Sequence, residues 1–257
     1  MAVPHSYRLP HRVDTGTGNM AADGSLLAWV GGGAARLAFR TYSWERPTLS
    51  LGRRSPFPRG WDEGALARAG IDVARRPTGG DAVLHVEEVT FALAASLPGP
   101  WNFTPRGFAN AAAEALAEAL ESCGLAGARL EVDRRSPPAS GAALCFARSA
   151  PGEVLARGFK VAGIASRFDR RGALCHASVP LTARSRSIAR FRLGAEGESE
   201  ALERNARSVG ELVGEAPLLA ATVEEALAGR IAARFGVELT EAPFEAVGIE
   251  AFAESAP

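Results

Sequence analysis

The chain has 257 residues, 47% of them apolar and 23% charged, an ordinary globular composition that supplies a real core and excludes a disordered, collagen-like or disulfide-stapled protein. Its 29 Lys and Arg balance 29 Asp and Glu, so no global field gathers nucleic acid or an anionic membrane surface, and any polyanion site has to be local. Cys123, Cys145 and Cys175 never approach C-x-x-C spacing, the stretch around Pro4, His5 and Arg8 lacks a signal peptide's apolar segment, and no run reaches the ~20 apolar residues of a membrane span, all of which point to reduced thiols in a cytoplasmic protein.

In chain order, residues 19–30 carry apolar side chains at helical spacing and stop at Gly31-Gly32-Gly33, which predicts a first helix capped by Asn19. Alternating runs then predict strands over 36–43, 47–53 and 71–75, with a short helix from Asp62 to Ala69 between the last two. Strands follow at 81–85 and 88–96, the latter with Val89, Phe91 and Leu93 on one side. Thr104-Pro105 supplies a cap and a first-turn proline for a helix running to Cys123. Residues 127–132 predict a strand and Arg134–Gly141 a loop, after which strands return at 144–148, 153–157, 159–168 and 173–180. Beyond Glu196 the pattern is helical, near 198–206, 208–214 and 222–235, the last opened by a Thr222-x-x-Glu225 capping box.

The 29 basic residues are 28 Arg and one Lys, Lys160, and the chain has no Gln. Such a skew favours Arg wherever a solvated cation suffices, so a surviving Lys marks a place where a compact ammonium is wanted, beside a reacting carbonyl or thiolate, for example. A leftover surface lysine is the plain alternative. The densest unusual stretch is Arg75-Arg76-Pro77-Thr78-Gly79-Gly80-Asp81-Ala82-Val83-Leu84-His85. Its glycines let backbone approach a ligand and leave N–H groups free to form an anion-binding concavity, although a plain hairpin with a Gly-Gly-Asp turn fits as well. Neither the P-loop nor the dinucleotide fingerprint is present. A second stretch runs from Cys145 through Gly158-Phe159-Lys160-Val161-Ala162-Gly163 to Cys175-His176. A thiol with a cationic neighbour can act as a nucleophile, whereas a lone strand cysteine is ordinarily inert core.

Taken together, Tyr42-x-Trp44-x-x-Pro47-Thr48-Leu49-Ser50-Leu51-Gly52, the Arg75 to His85 stretch and Gly158 to Gly163 resemble the lipoate/octanoate protein-attachment family, related to biotin protein ligases, and Asn19-Met20-Ala21-x-Asp23 matches its first helix. The likeness spans roughly residues 10 to 240 and is strongest to the cysteine-dependent octanoyltransferases, in which a Cys-Phe pair stands fifteen residues before the motif lysine, as Cys145-Phe146 stands before Lys160. The resemblance implies an α+β fold, a mixed and mainly antiparallel sheet flanked by helices, and the helical character beyond Glu196 divides the chain into a catalytic domain over 1–196 and a helical extension over 197–257 packed on it. It implies octanoyl transfer from acyl carrier protein to the lysine of a lipoyl domain or a glycine-cleavage H-type protein, through an acyl-Cys145 thioester. No cofactor, metal, nucleic acid or membrane partner is expected.

Lys160 would lower the Cys145 pKa and donate to the developing oxyanion or to the leaving group. Gly79, Gly80 and Val83 would line the acyl slot, with Arg75, Arg76 and Thr78 fixing the loop; Gly163 and His176 would contact substrate, and His85 would be a pocket wall rather than a proton carrier, for want of a nameable acidic partner. Cys175 would line the pocket or be neutral. Phe159, Ile164 and Asp81 depart from the family pattern, and the Asp81 carboxylate in the supposed anion cradle counts against ATP phosphate there. Arg134, Arg135, Arg148, Arg157, Arg167, Arg170 and Arg171 form a candidate docking patch for acidic partners. Rival readings are an ATP-dependent lipoate ligase using Lys160 for the acyl-adenylate, an amidotransferase between lipoyl proteins, and a non-catalytic lipoyl-domain-binding module.

Overall fold

A computed structural model describes residues 5–248 except 98, 102, 133–143, 195 and 215–219, so the predicted Arg134–Gly141 loop lies outside the described residues. The order begins β1 (Ser6–Arg8), β2 (Arg12–Asp14), α1 (Gly16–Gly31), β3 (Leu37–Trp44) and β4 (Thr48–Leu51). It continues through α2 (Glu63–Arg68), β5 (Asp72–Arg75), β6 (Val83–His85), β7 (Glu88–Ser96), α3 (Pro105–Ser122) and β8 (Arg129–Leu130). After a one-turn 3-10 segment, Cys145–Ala147, come β9 (Val154–Ala156), β10 (Phe159–Phe168) and β11 (Gly172–Pro180). A longer 3-10 segment, Ala183–Phe191, leads to α4 (Glu198–Asn205), α5 (Val209–Val213), α6 (Ala220–Phe235) and β12 (Leu239–Glu241).

Among the described residues these strands form a nine-stranded sheet in the order β12-β1-β3-β7-β11-β10-β9-β8, with β2 on β3, and a three-stranded sheet in the order β5-β4-β6. The large sheet is antiparallel from β3 through β8 and parallel where β1, β2 and β12 join it, an α+β architecture. Alternation along β7 decides its two faces. Val89, Phe91, Leu93 and Ala95 face α3 and α6, while Ala92 and Ala94 face α1. A third apolar cluster lies between the small sheet, the 3-10 segments and α4, around Leu49, Leu84, Phe146 and Leu202.

Three local expectations change. Thr15, not Asn19, caps α1, its hydroxyl accepting from the Gly18 amide; Asn19 is fully buried inside the helix and donates to Asp14 O and Ser43 O. Thr222 lies within α6, whose described part already begins at Ala220. The segments on either side of Gly79-Gly80 are not a hairpin either, because β5 and β6 pair with opposite edges of β4, β5 parallel and β6 antiparallel. The connecting loop folds back over Gly52, where a Cβ would lie 2.1 Å from the Gly80 carbonyl oxygen, so that only glycine permits the approach.

Candidate active site

Cys145 stands on its single 3-10 turn because the turn is held from three sides. Its amide donates to Ala82 O at 3.0 Å, and Leu144 bridges Ala82 in parallel. From β10, Lys160 Nζ donates to Cys145 O at 2.6 Å and lies 3.3 Å from Arg148 O. From α4, Asn205 Nδ2 donates to Ala147 O at 2.8 Å. The expected strand over 144–148 is therefore a turn, and the turn is what presents the sulfur.

The same ammonium lies 3.3 Å from Cys145 Sγ and 2.5 Å from Glu153 Oε1, and Lys160 is 0% exposed. Its position fits the reading that the chain's sole lysine is no surface leftover. Three N–H bonds face four acceptors, so the sulfur shares a donor with Arg148 O and none is left over for an acyl oxygen. Burial pushes the Cys145 thiol up, Lys160 pulls it down, Glu153 pushes it up again, and the net direction is upward. Lys160 thus pulls the thiol down, as expected, but desolvation, the largest cause, outweighs that pull, and the carboxylate that Lys160 also holds adds to the upward push. Lys160 loses by burial too, yet the Cys145 sulfur and Glu153 more than offset this and hold it above its ordinary value, so it remains an ammonium.

Gly163 makes room for the pair. A Cβ there would sit 3.0 Å from Cys145 Sγ and 3.3 Å from the Phe146 ring. Cys145 opens into a cavity of about 190 Å³ whose wall also includes Met20, Trp44, Val83, Gly163 and Ile164.

Of the other expected site residues, Arg76, Gly80, Val83, His85 and His176 also line this cavity. Arg76 fixes the glycine loop, Nη2 donating to Gly79 O at 2.9 Å and Asp81 O at 2.8 Å while Nη1 donates to Ser50 O at 2.9 Å. Three residues fall elsewhere. Gly79 faces an outer depression. Arg75 Nη1 donates to the carbonyls of Gly52, Arg53 and Ser55, so it fixes the neighbouring loop rather than its own. Thr78 is buried behind the wall, its hydroxyl 2.7 Å from His176 Nε2. Cys175 is fully buried on the sheet face that packs against α3, away from the cavity, and burial pushes its thiol up to about 12. Ile164 lines the cavity, whereas Phe159 packs under the Arg207 guanidinium, which lies 4.4 Å from its ring centre.

Asp81 does not present a bare carboxylate, because Arg148 Nη2 pairs with its Oδ2 at 2.5 Å; the argument that Asp81 repels an anion loses its force. The proposed arginine patch is not one surface. Arg157 and Arg170 flank opposite ends of β10, whose ten residues span about 30 Å, and Arg134 and Arg135 lie outside the described residues.

Two buried carboxylates organise the wall, and neither was foreseen as a hub. Glu88 Oε1 accepts from His85 Nδ1 at 2.6 Å and Oε2 from Ser178 Oγ at 2.5 Å, and the His85 ring stacks on Trp44 with centroids 4.0 Å apart. His85 thus has an acidic partner not named from the sequence, three residues on in the chain. Asp23 accepts from Arg40 Nη2 at 2.7 Å, Tyr42 Oη at 3.0 Å and His176 Nδ1 at 2.9 Å. Burial alone would raise Asp23, but Arg40 and His176 outweigh it and hold the carboxyl below its ordinary range. Burial also drives the His176 pKa down, only partly offset by Asp23, so the ring is neutral, with Nδ1–H on Asp23 and Nε2 accepting from Thr78.

Asp23→Asn strands the fully buried Arg40 charge, and its expected cost is about 3–5 kcal/mol at pH 7, read as a lowered urea midpoint. A carboxyl with a depressed folded pKa stabilises above its unfolded value, here 3.8, and that contribution disappears as pH falls through the lower folded value. The gap between wild type and variant should therefore narrow below that pH.

Among the described residues no group of three or more His, Cys, Asp or Glu could hold a metal ion, and no helix is long and apolar enough to cross a membrane. The sequence profile described as the lipoyl protein ligase A/B catalytic domain matches residues 16–231. Octanoyltransferase LipM of Kyrpidia tusciae is 32% identical over 251 residues, covering 91% of this chain and 89% of the relative. Octanoyltransferase LipM of Geobacillus kaustophilus is 29% identical over 216 residues, covering 81% and 77%. Among solved structures, lipoate-protein ligase A bound with ATP is similar at a TM-score of 0.74 and 20% identity, covering 97% of this chain and 95% of that one. A bipartite lipoate protein ligase from Thermoplasma acidophilum, studied with its E2 lipoyl domain, is similar at a TM-score of 0.73 and 16% identity, covering 97% and 93%. These structural likenesses concern the fold, while the profile and the sequence relatives concern descent, and by them the chain belongs to the lipoyl protein ligase A/B catalytic domain family.

Proposed function

We propose that the protein is an octanoyltransferase of lipoate biosynthesis, taking octanoyl from the thioester of acyl carrier protein and passing it to the lysine of a lipoyl domain. The observation that carries this reading is Cys145 Sγ on a cavity wall, 3.3 Å from the buried Lys160 ammonium. The named activity of the sequence relatives supplies the acyl group.

On this reading the sulfur of Cys145 bonds to the octanoyl carbonyl carbon, the carbon–sulfur bond to the pantetheine arm breaks, and the thiol proton leaves with the departing arm. In the second half a neutral lysine amine of the acceptor bonds to the same carbonyl carbon, the carbon–sulfur bond to Cys145 breaks, and a proton lost by the amine returns to the Cys145 sulfur. Lys160 serves the sulfur, not the oxygen: it is a fixed positive charge beside the thiolate as that forms and as it departs. Because the resting thiol is pushed up, the charge is generated when substrate arrives, and an enclosed wall strengthens the Lys160–sulfur attraction at that moment. Apolar wall residues Met20, Val83 and Ile164 would receive the tail, whose methylenes contribute about 0.8 kcal/mol each, or ~5 kcal/mol in all before costs. α4 and Arg207 belong to the same machinery, since α4 braces the Cys145 turn through Asn205 and the Arg207 amide donates to Lys160 O at 3.1 Å.

Intact-protein mass spectrometry after incubation with octanoyl-acyl carrier protein tests the proposal. The expected result is a gain of one octanoyl group, labile to hydroxylamine and discharged by an apo lipoyl domain. An unmodified protein that nonetheless octanoylates the lipoyl domain only when given ATP and octanoate would overturn it.

A further inference from the structure

On the far side of the glycine loop from Cys145 lies an open depression lined by Arg53, Arg54, Ser55, Pro56, Gly79 and Gly80. Gly80 lines both this depression and the acyl cavity, so the two share one wall. Arg53 and Arg54 are exposed, and among the described residues no carboxylate lies within salt-bridge range of either, although most arginines of the neighbouring 183–192 segment are paired with acids. The backbone beneath them is built rather than loose. Arg53 N donates to Thr78 O at 2.8 Å, Ser55 N donates to Gly52 O at 2.9 Å, Ser55 Oγ donates to Gly80 O at 3.3 Å, and Arg75 gathers three carbonyls of the same loop.

The Gly80 amide adds a donor. In a trans peptide the N–H points opposite the preceding carbonyl, and Gly79 O is turned onto Arg76 inside the cavity wall; the Gly80 N–H is therefore directed away from Arg76, and no acceptor among the described residues takes it. At φ +96° Gly80 holds a conformation open to glycine. A Cβ on Gly79 would meet nothing within 4 Å, so the floor is uncovered. Asp81, next to Gly80 in the chain, is already paired with Arg148. Two unpaired guanidiniums over an uncovered backbone amide make an anion site, and the planar, doubly donating guanidinium suits phosphate oxygens. From Cys145 to Arg53 the path takes a cross-strand step to Ala82, chain steps to Gly80, a second cross-strand step to Gly52 and a last chain step; at about 5 Å for each cross-strand step and about 3.8 Å for each chain step it is roughly 20 Å, within the reach of an extended pantetheine arm.

We infer that the Arg53–Arg54 depression binds the phosphate of the acyl donor's pantetheine arm, so that the arm crosses the Gly80 wall with its thioester at Cys145 and its phosphate outside. This rests on the thioester-donor reading above. The test measures the rate of Cys145 acylation with octanoyl-phosphopantetheine, with octanoyl-pantetheine lacking the phosphate, and with octanoate plus ATP, in wild type and in an Arg53→Ala, Arg54→Ala double variant. The expected result is a wild-type preference for the phosphorylated thioester of about tenfold or more, collapsing toward one in the double variant because only the phosphorylated donor slows. Equal wild-type rates with the two thioesters, or a preference that survives the double substitution, would overturn the inference while leaving acyl transfer intact. Modification that requires ATP, and that the double variant loses, would assign the depression to a nucleotide phosphate instead. No Cys145 adduct with any donor would remove the acyl-transfer reading and this inference with it.

Discussion

Cys145→Ser is expected to abolish the octanoyl adduct and to lower transfer to a lipoyl domain by about a thousandfold or more, the scale on which enzymes lose rate when a covalent nucleophile is disabled. The substitution swaps sulfur for oxygen at a half-buried turn position whose backbone contacts, to Ala82 and from Lys160, involve no side-chain atom of residue 145. Stability should change by less than about 1 kcal/mol, so a urea midpoint close to wild type alongside lost activity would locate the defect in chemistry. Cys175→Ala is the matched control. Its thiol lies in the α3-facing core with its pKa pushed up to about 12, and the variant should keep the adduct. An adduct that survives Cys145→Ser and disappears with Cys175→Ala would move the nucleophile and end this account.

Lys160→Met carries the second large effect, and it divides into two parts. Removing the ammonium strands Glu153, whose Oε1 it contacts at 2.5 Å, in a nearly dry setting, and breaking one partner of such a pair costs about 3–5 kcal/mol. It also takes away both the charge and the hydrogen bond by which Lys160 pulls the Cys145 thiol down. Transfer should fall about a hundredfold or more, the scale of a lost charge-stabilising donor, and the pH at which Cys145 becomes reactive toward iodoacetamide should move up. Adding Glu153→Gln removes the stranded charge. The double variant should regain stability while remaining slow and keeping the raised pH dependence. Activity that returned together with stability would mean Lys160 only holds the turn.

How much of this was legible in the chain depended on distance along it. The β7 strand and α3 helix could be read because their signals are local: alternation at Val89, Phe91 and Leu93, and a Thr104-Pro105 start. Local signals failed at Leu144–Ala147, where an apolar run suits a strand, and only the long-range bonds to Ala82, Lys160 and Asn205 turn it into a 3-10 segment. They failed also at Gly79-Gly80, because a turn sequence does not say that both flanking strands will choose β4 as partner. The three-residue strands β1, β2 and β12 are too short to carry a period. At the site, the Cys145–Lys160 contact was foreseen from residue identity and family likeness, whereas Glu153 was not, although it lies only seven residues before the lysine. His85 and Glu88 stand three apart and could have been paired from the sequence. Asp23 and His176, separated by 153 positions, could not.

The bracing of the Cys145 turn by α4 reaches beyond the cavity. Leu202 is buried in the same cluster as Phe146, and Asn205 holds Ala147 from a helix that contributes nothing to the cavity wall. A random mutagenesis screen scored on lipoylation would therefore return inactivating hits in α4, scattered well away from any bound acyl chain. Such hits would be misread as a second functional centre unless their thiol reactivity were measured, since a loosened brace betrays itself as a displaced sulfur before it shows as an unfolded protein.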